Sequence, residues 1–150
     1  IMKGYLKMPE KTAEVIELID GYRWYRTGDK GHLDEDGFLT IVDRYSRFAK
    51  IGGEMISLTT VEEEILDACN EKDLEIAATC LPDQRKGEKI VLLANKNLDK
   101  NQLKRLLSDA KVNPLYHPAQ VLIVEEIPKL GSGKTDFGAT KKIALVNEQK

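Results

Sequence analysis

The sequence predicts an α+β fold: a small three-stranded sheet with packed helices, preceded by a β-hairpin and a hinge segment. Three observations carry this. Residues 74–81, 89–95 and 119–127 are largely apolar runs of strand length. Around them, residues 61–69, 99–112 and 137–146 place apolar side chains at helical spacing. Upstream, Asp34-Glu35-Asp36-Gly37 is a strong turn signal beside the β-prone stretch Phe38 to Val42. From residue 58 the order is helix, strand, strand, helix, strand, helix, which packs strands against helices.

Taken in order, Pro9 to Ile19 reads as a short helix, with Pro9 in the first turn and Gly21 as the stop. Tyr22, Trp24 and Tyr25 then form an aromatic cluster, either core for a small lobe or a face turned to another domain. Gly31 to Asp43 reads as a hairpin, and Asp43-Arg44 ends its second strand. Gly52-Gly53 follows, open to backbone angles closed to other residues. It is either a tight turn joining two strands or a joint or site. Thr60 with Glu63, or Thr59 with Glu62, gives a capping-box signature for the helix from Val61 to Cys69. The continuous run Ile90-Val91-Leu92-Leu93 predicts a strand covered on both faces. Asp99 and Gln102 cap the next helix, with Leu98 and Leu103 as its staple. Pro128 ends the third strand. Asp136 caps a last helix whose packing face is Ala139, Ile143 and Val146, with Ala144 at its edge.

At 150 residues with 41% hydrophobic and 32% charged residues, the chain suits a globular domain. A formal net charge of -2 gives no general drive toward nucleic acid or anionic lipid. Cys69 and Cys80 lack metal-ligand spacing and read as buried free thiols, and His32 and His117 are too isolated for zinc. No metal-ligating residues are expected. No apolar run is long enough to span a bilayer. The first residue is Ile1, so a piece of a longer protein is expected.

Four places offer chemistry, each with a plainer alternative. Gly131-Ser-Gly-Lys134-Thr135 lacks the leading glycine of a P-loop, whose position is taken by Pro128. It still presents Lys134 on a flexible loop, as a mobile point charge for phosphate or carboxylate or as an ordinary surface lysine. Asp29, after Thr27-Gly28, suits vicinal hydroxyls or plain turn chemistry. Asp43-Arg44 suits a hinge with a phosphate-binding fork, or a local ion pair. Lys50-Ile51-Gly52-Gly53-Glu54 is the fourth.

As an ordered set, Tyr25-Arg26-Thr-Gly-Asp29, Gly37-Phe-Leu, Asp43-Arg44, Phe48-Ala-Lys50-Ile-Gly-Gly-Glu-Met-Ile-Ser57, Val61-Glu62 and Pro128-Lys-Leu-Gly-Ser-Gly-Lys134 resemble the carboxy-terminal region of the acyl-adenylate-forming enzymes. That superfamily includes acyl-CoA synthetases, firefly luciferases and nonribosomal peptide adenylation domains. Within it, the glycine-pair and Lys134 segments look most like the acyl-carrier-protein synthetase part of bacterial 2-acylglycerophosphoethanolamine acyltransferases. The resemblance implies that residues 1–42 are the tail of a large adenylation domain, 43–57 the hinge and glycine loop, and 58–150 a small mobile domain. It implies that Asp29 and Arg44 bind the nucleotide, that Asp43 is the hinge and that Lys134 is catalytic in adenylation. Lys50, Gly52, Gly53 and Glu54 would line the thioester step.

The implied function is an ATP- and Mg2+-dependent fatty acyl-adenylate ligase. It would pass the acyl group to the phosphopantetheine thiol of acyl-carrier protein (or to CoA), and from there to a lysophospholipid. The setting implied is the cytoplasmic side, with the full-length protein at the bacterial inner membrane. The isolated chain is expected to be inactive. Asp136 stands where the family often has a basic residue, which weakens an assignment specific to CoA. Arg44, Arg47, Lys50, Lys129, Lys141 and Lys142 are the candidates for a basic surface facing an acidic carrier protein. The alternatives are an acyl-CoA synthetase of the same superfamily, a non-catalytic carrier-binding module and a stand-alone nucleotide-binding domain.

Overall fold

The computed structural model describes residues 1–148. The chain divides into two compact units, one from Ile1 to Ser46 and one from Arg47 onward.

The first unit holds a short helix and two hairpins. Helix α1 spans Pro9–Val15, and the chain then turns into strand β1 (Ile16–Ile19), paired antiparallel with β2 (Tyr22–Tyr25). The predicted helix to Ile19 therefore ends four residues early. Ile16 and Ile19 are β-branched and face a strand partner, which overrides their helical spacing. Strands β3 (Asp29–Leu33) and β4 (Leu39–Arg44) form the second hairpin, as the turn signal predicts. The Asp34 carboxylate accepts the N–H groups of Asp36 and Phe38 and closes the turn. No residue of this unit is buried. Trp24, at 60% exposure, is not core.

The second unit is an α+β sandwich, and its sheet has five strands rather than three. The two extra strands flank the glycine pair: β5 (Phe48–Ile51) and β6 (Glu54–Ser57). Each is only four residues long, too short for periodicity to reveal. Strands β7 (Ile76–Asp83) and β8 (Gly87–Ala94) form a long antiparallel pair, and β9 (Gln120–Ile123) lies parallel to β8. Helices α2 (Leu58–Cys69), α3 (Lys100–Asp109) and α4 (Phe137–Glu148) cover the sheet.

Strand β8 explains the core. Ile90, Leu92 and Ala94 pack with Val61, Ile65, Leu103 and Leu107 of α2 and α3. Val91 and Leu93 pack on the other face with Ile127 and with Ala144 of α4. Strand alternation thus sends one apolar run into two cores, as its continuity predicts.

The caps follow their residue types. Asp99 accepts Gln102 N–H at 2.8 Å, and Asp136 accepts Ala139 N–H at 2.9 Å, both as expected. Helix α2 departs from expectation: Ser57, not Thr59 or Thr60, is its cap, accepting Thr60 N–H at 3.2 Å. Glu62 is drawn elsewhere, as described below. On α4, Thr140 and Ala144 are buried while Val146 is 58% exposed, so the buried face is rotated from the predicted one. A threonine is tolerated there because its hydroxyl donates to the Asp136 carbonyl at 2.8 Å. No helix among the described residues is long and apolar enough to cross a membrane.

Candidate functional site

In the first unit the strand pairing brings Asp29 opposite Arg44. Their side chains meet, with Arg44 Nε 3.1 Å from Asp29 Oδ1. The carboxylate retains an exposed edge and the guanidinium is mostly open, so both keep bonding capacity for a ligand. Thr27 holds the turn through its hydroxyl, which accepts Asp29 N–H at 3.1 Å. Asp43 lies inside β4 opposite Lys30, and its carboxylate accepts the Arg44 N–H at 2.7 Å. Asp29, Asp43 and Arg44 therefore share one end of one hairpin.

In the second unit, Gly52 and Gly53 form the β5–β6 turn, with φ of 61° and 94°. Nothing lies within contact of a Cβ at either position. Backbone angle, not crowding, is what reserves these places for glycine. Lys50 and Glu54 flank the turn, both exposed. The turn sits at the Gly87 end of β8: Ile51 pairs with Gly87, and Gly52 N–H donates to the Lys86 carbonyl at 2.9 Å. Glu88 holds the Lys50 N–H at 2.5 Å. It also sits beside the Cys80 thiol, whose pKa burial and this carboxylate push up.

A cleft of about 240 Å³ opens beside this turn, lined among others by Ile51, Arg85, Lys86, Lys89 and His117. Sequence reasoning missed it. These residues come from three separated segments, and only the folding of the β7–β8 turn against the loop after α3 gathers them.

Lys134 is at the other end of the sheet. Its loop closes on itself: Leu130 N–H donates to the Lys134 carbonyl at 2.7 Å, and Gly133 N–H to the Leu130 carbonyl at 2.8 Å. The loop follows β9 past the Ala94 end of β8, and Lys129 Nζ reaches Glu75 Oε1 at 2.7 Å. Lys134 itself is exposed. Gly87 and Ala94 are seven residues apart along β8, or roughly 23 Å at ~3.3 Å per residue. The glycine turn and Lys134 are thus two separate presentations on one unit.

The basic surface needs correction. Arg47 is 4% exposed and cannot face a partner. Its Nη1 donates to the Ala78 carbonyl at 2.8 Å, and its Nη2 to Glu62 Oε2 at 2.5 Å. Glu62 Oε1 accepts Ala78 N–H at 2.6 Å. The pair saturates both main-chain groups of one β7 residue, which accounts for burying two charges. Lys129 is engaged by Glu75, while Lys50, Lys141 and Lys142 are exposed. Asp136, the departure from the family pattern, is the cap of α4. No cluster of three His, Cys, Asp or Glu side chains able to hold a metal occurs among the described residues.

No protein-family model matches the chain. It is 37% identical over 144 residues to the 2-succinylbenzoate–CoA ligase of Listeria monocytogenes, covering 95% of this chain and 29% of that enzyme. It is 34% identical over 138 residues to the long-chain-fatty-acid–CoA ligase of Bacillus subtilis, covering 89% of this chain and 23% of the relative. The ATP-bound crystal structure of MatB from Rhodopseudomonas palustris superposes with a TM-score of 0.74 at 25% identity, over 95% of this chain and 28% of that one. The chain therefore spans between a fifth and a third of the length of these proteins. Its homologues are acyl- and aryl-CoA ligases of the AMP-binding superfamily, and its mixed α+β fold matches their C-terminal domain.

Proposed function

We propose that this chain is the C-terminal part of an AMP-forming acid–thiol ligase, working in two half-reactions. The carrying observation is the placement of Lys134 and the Gly52–Gly53 turn at opposite ends of one sheet. One rigid unit cannot offer both to a single reacting centre in one orientation. Two orientations, alternating about Asp43, give each its turn. Two steps with different charge needs supply the reason for the alternation.

In the first step a carboxylate oxygen attacks the α-phosphorus of ATP. The bond to the bridging oxygen breaks and pyrophosphate leaves, giving an acyl-adenylate. Negative charge builds on the phosphate oxygens, and the exposed ammonium of Lys134 is suited to stabilise it. Asp29 accepts ribose hydroxyls while Arg44 steadies the carboxylate and reaches the nucleotide. Mg2+ accompanies the nucleotide phosphates. In the second step a thiolate attacks the acyl carbonyl, the bond to the AMP oxygen breaks and AMP leaves. Here the glycine turn is the useful surface. Its bare main chain admits a narrow acceptor arm past Gly52 and Gly53, with Lys50 and Glu54 at the sides.

The acceptor is a phosphopantetheine thiol. The cleft beside the turn offers Arg85, Lys86 and His117 to an acceptor bearing phosphates, although Asp83 and Glu88 also line it and Lys89 is paired with Glu148. The relatives named above are CoA ligases, and the capping of α4 gives Asp136 a structural reason to be an acid. A second reading has the thiol on acyl-carrier protein, with onward transfer to a lysophospholipid. It is favoured by the resemblance of the Phe48–Leu58 and Leu130–Phe137 segments, but loses Arg47 from its basic surface.

The test is pyrophosphate release by the full-length protein with Mg-ATP and a fatty or aryl acid. Lys134→Ala is expected to lose about two to three orders of magnitude in adenylation, while transfer from pre-made acyl-adenylate to CoA persists. An unchanged adenylation rate returns Lys134 to the role of a surface lysine.

A further inference from the structure

Arg47 begins the second unit, yet its guanidinium reaches the start of the last helix. The guanidinium carbon lies 3.7 Å from the centroid of the Phe137 ring. Phe137 is the first residue of α4, three after Lys134 and one after the cap Asp136. Arg47 is itself held on three sides, by the Ala78 carbonyl, the Glu62 carboxylate and, at 3.5 Å, the Thr59 hydroxyl. Its Nε is buried without a hydrogen-bond partner among the described residues. The ring face is what lies against that group, and a desolvated guanidinium over an aromatic face is a favourable contact.

The Lys134 loop has few other restraints. Gly131 and Gly133 offer no side chains, Leu130 is 49% exposed, and the internal hydrogen bonds fix the loop's shape rather than its direction. On the incoming side Ile127 is buried in the core beneath α4. The Lys129–Glu75 pair is exposed on both sides, and such pairs hold little. On the outgoing side, Asp136 N–H returns to the Pro128 carbonyl at 2.8 Å, closing the loop's base directly before Phe137.

We infer that the Arg47 guanidinium, stacked on Phe137, is the positioning group that aims the Lys134 loop. The inference rests on the ligase reading, in which Lys134 acts only in adenylation. It gives this stacking a step-specific effect: disturbing it slows adenylation and spares thiol transfer, because the glycine turn lies at the far end of the sheet.

The experiment uses the full-length enzyme with dodecanoate or benzoate, whichever the wild type turns over, and coenzyme A. The two half-reactions are measured separately for Phe137→Leu, Phe137→Tyr and Lys134→Ala. Phe137→Leu keeps the bulk, loses the ring face and leaves the Arg47–Glu62 pair intact, which guards against misfolding. It is expected to slow adenylation roughly 10- to 100-fold, as small misplacements of reacting groups do, with transfer from pre-made acyl-adenylate unchanged. Phe137→Tyr, retaining the face, is expected to restore the rate. Equal slowing of both half-reactions, or no slowing in Phe137→Leu, overturns the inference. If Lys134→Ala adenylates normally, the ligase reading of Lys134 falls first and takes the inference with it. If Lys134→Ala fails while Phe137→Leu does not, only the inference falls.

Discussion

At the residue scale, burial separates charges that composition treats alike. Arg47 and Lys141 both read as surface cations. Arg47 is instead sealed against Ala78, Glu62 and Phe137, while Lys141 stays in solvent. The Arg47–Glu62 pair holds Ala78 by both its N–H and its carbonyl, so removing one partner strands the other. Glu62→Ala is therefore expected to destabilise the chain by about 3 kcal/mol, read from urea unfolding. Lys141→Ala should change it by less than about 0.5 kcal/mol. Equal effects would mean that the pair is solvated like any surface ion pair. Asp136 makes the converse point. Its position beside Lys134 suggests chemistry, yet its carboxylate is spent on the first turn of α4. Asp136→Ala is expected to cost about 1 kcal/mol.

At the scale of elements, the β5–β6 and β7–β8 turns meet through Gly52 and Lys86, so the geometry of one sets the other. Gly53 has φ of 94°, where a side chain is strained although space for it exists. Gly53→Ala should leave the sheet folded at a cost of about 1–3 kcal/mol. If the turn lines the thiol route, transfer to CoA will slow more than adenylation. The β7–β8 turn is closed by Asp83, whose carboxylate accepts the N–H groups of Arg85 and Lys86, each at 2.9 Å. Those bonds favour the ionised form and hold its pKa below the usual carboxylate value. A group depressed in the folded state contributes stability above its unfolded pKa and loses it as pH falls through its folded one. Unfolding midpoints between about pH 5 and pH 2 should therefore fall less steeply in Asp83→Asn than in the wild type.

At the scale of the whole molecule, the two units differ in kind. From Arg47 onward there are two apolar clusters, one on each face of a five-stranded sheet. From Ile1 to Ser46 no side chain is buried, and Trp24, Phe38 and Ile41 are more than half exposed. A segment that buries no side chain gains too little to offset the entropy of ordering its backbone. Residues 47–150 alone are thus expected to unfold cooperatively in urea, and residues 1–46 alone to show no cooperative transition. A cooperative 1–46 fragment would refute the view that it is the tail of a larger domain.

Periodicity and turn chemistry alone determined the α+β class, the β3–β4 hairpin, helices α2 to α4 and the caps Asp99 and Asp136. These depend on neighbours in sequence, and β8 announced its two covered faces by an unbroken apolar run. The ordered short motifs also pointed to the superfamily and to Asp29, Arg44, the glycine pair and Lys134. Only the tertiary structure decided the rest. The strands β5 and β6 are four residues each and gain their stability from pairing rather than pattern. Helix α2 begins at Leu58 and is capped by Ser57, while Glu62, a candidate for the capping box, is engaged by Arg47 and Ala78. The cleft gathers Ile51, the β7–β8 turn and the loop after α3, and the stacking joins Arg47 to Phe137, all from segments far apart in sequence. Such contacts are set by how layers pack, and a single sequence carries no local trace of them.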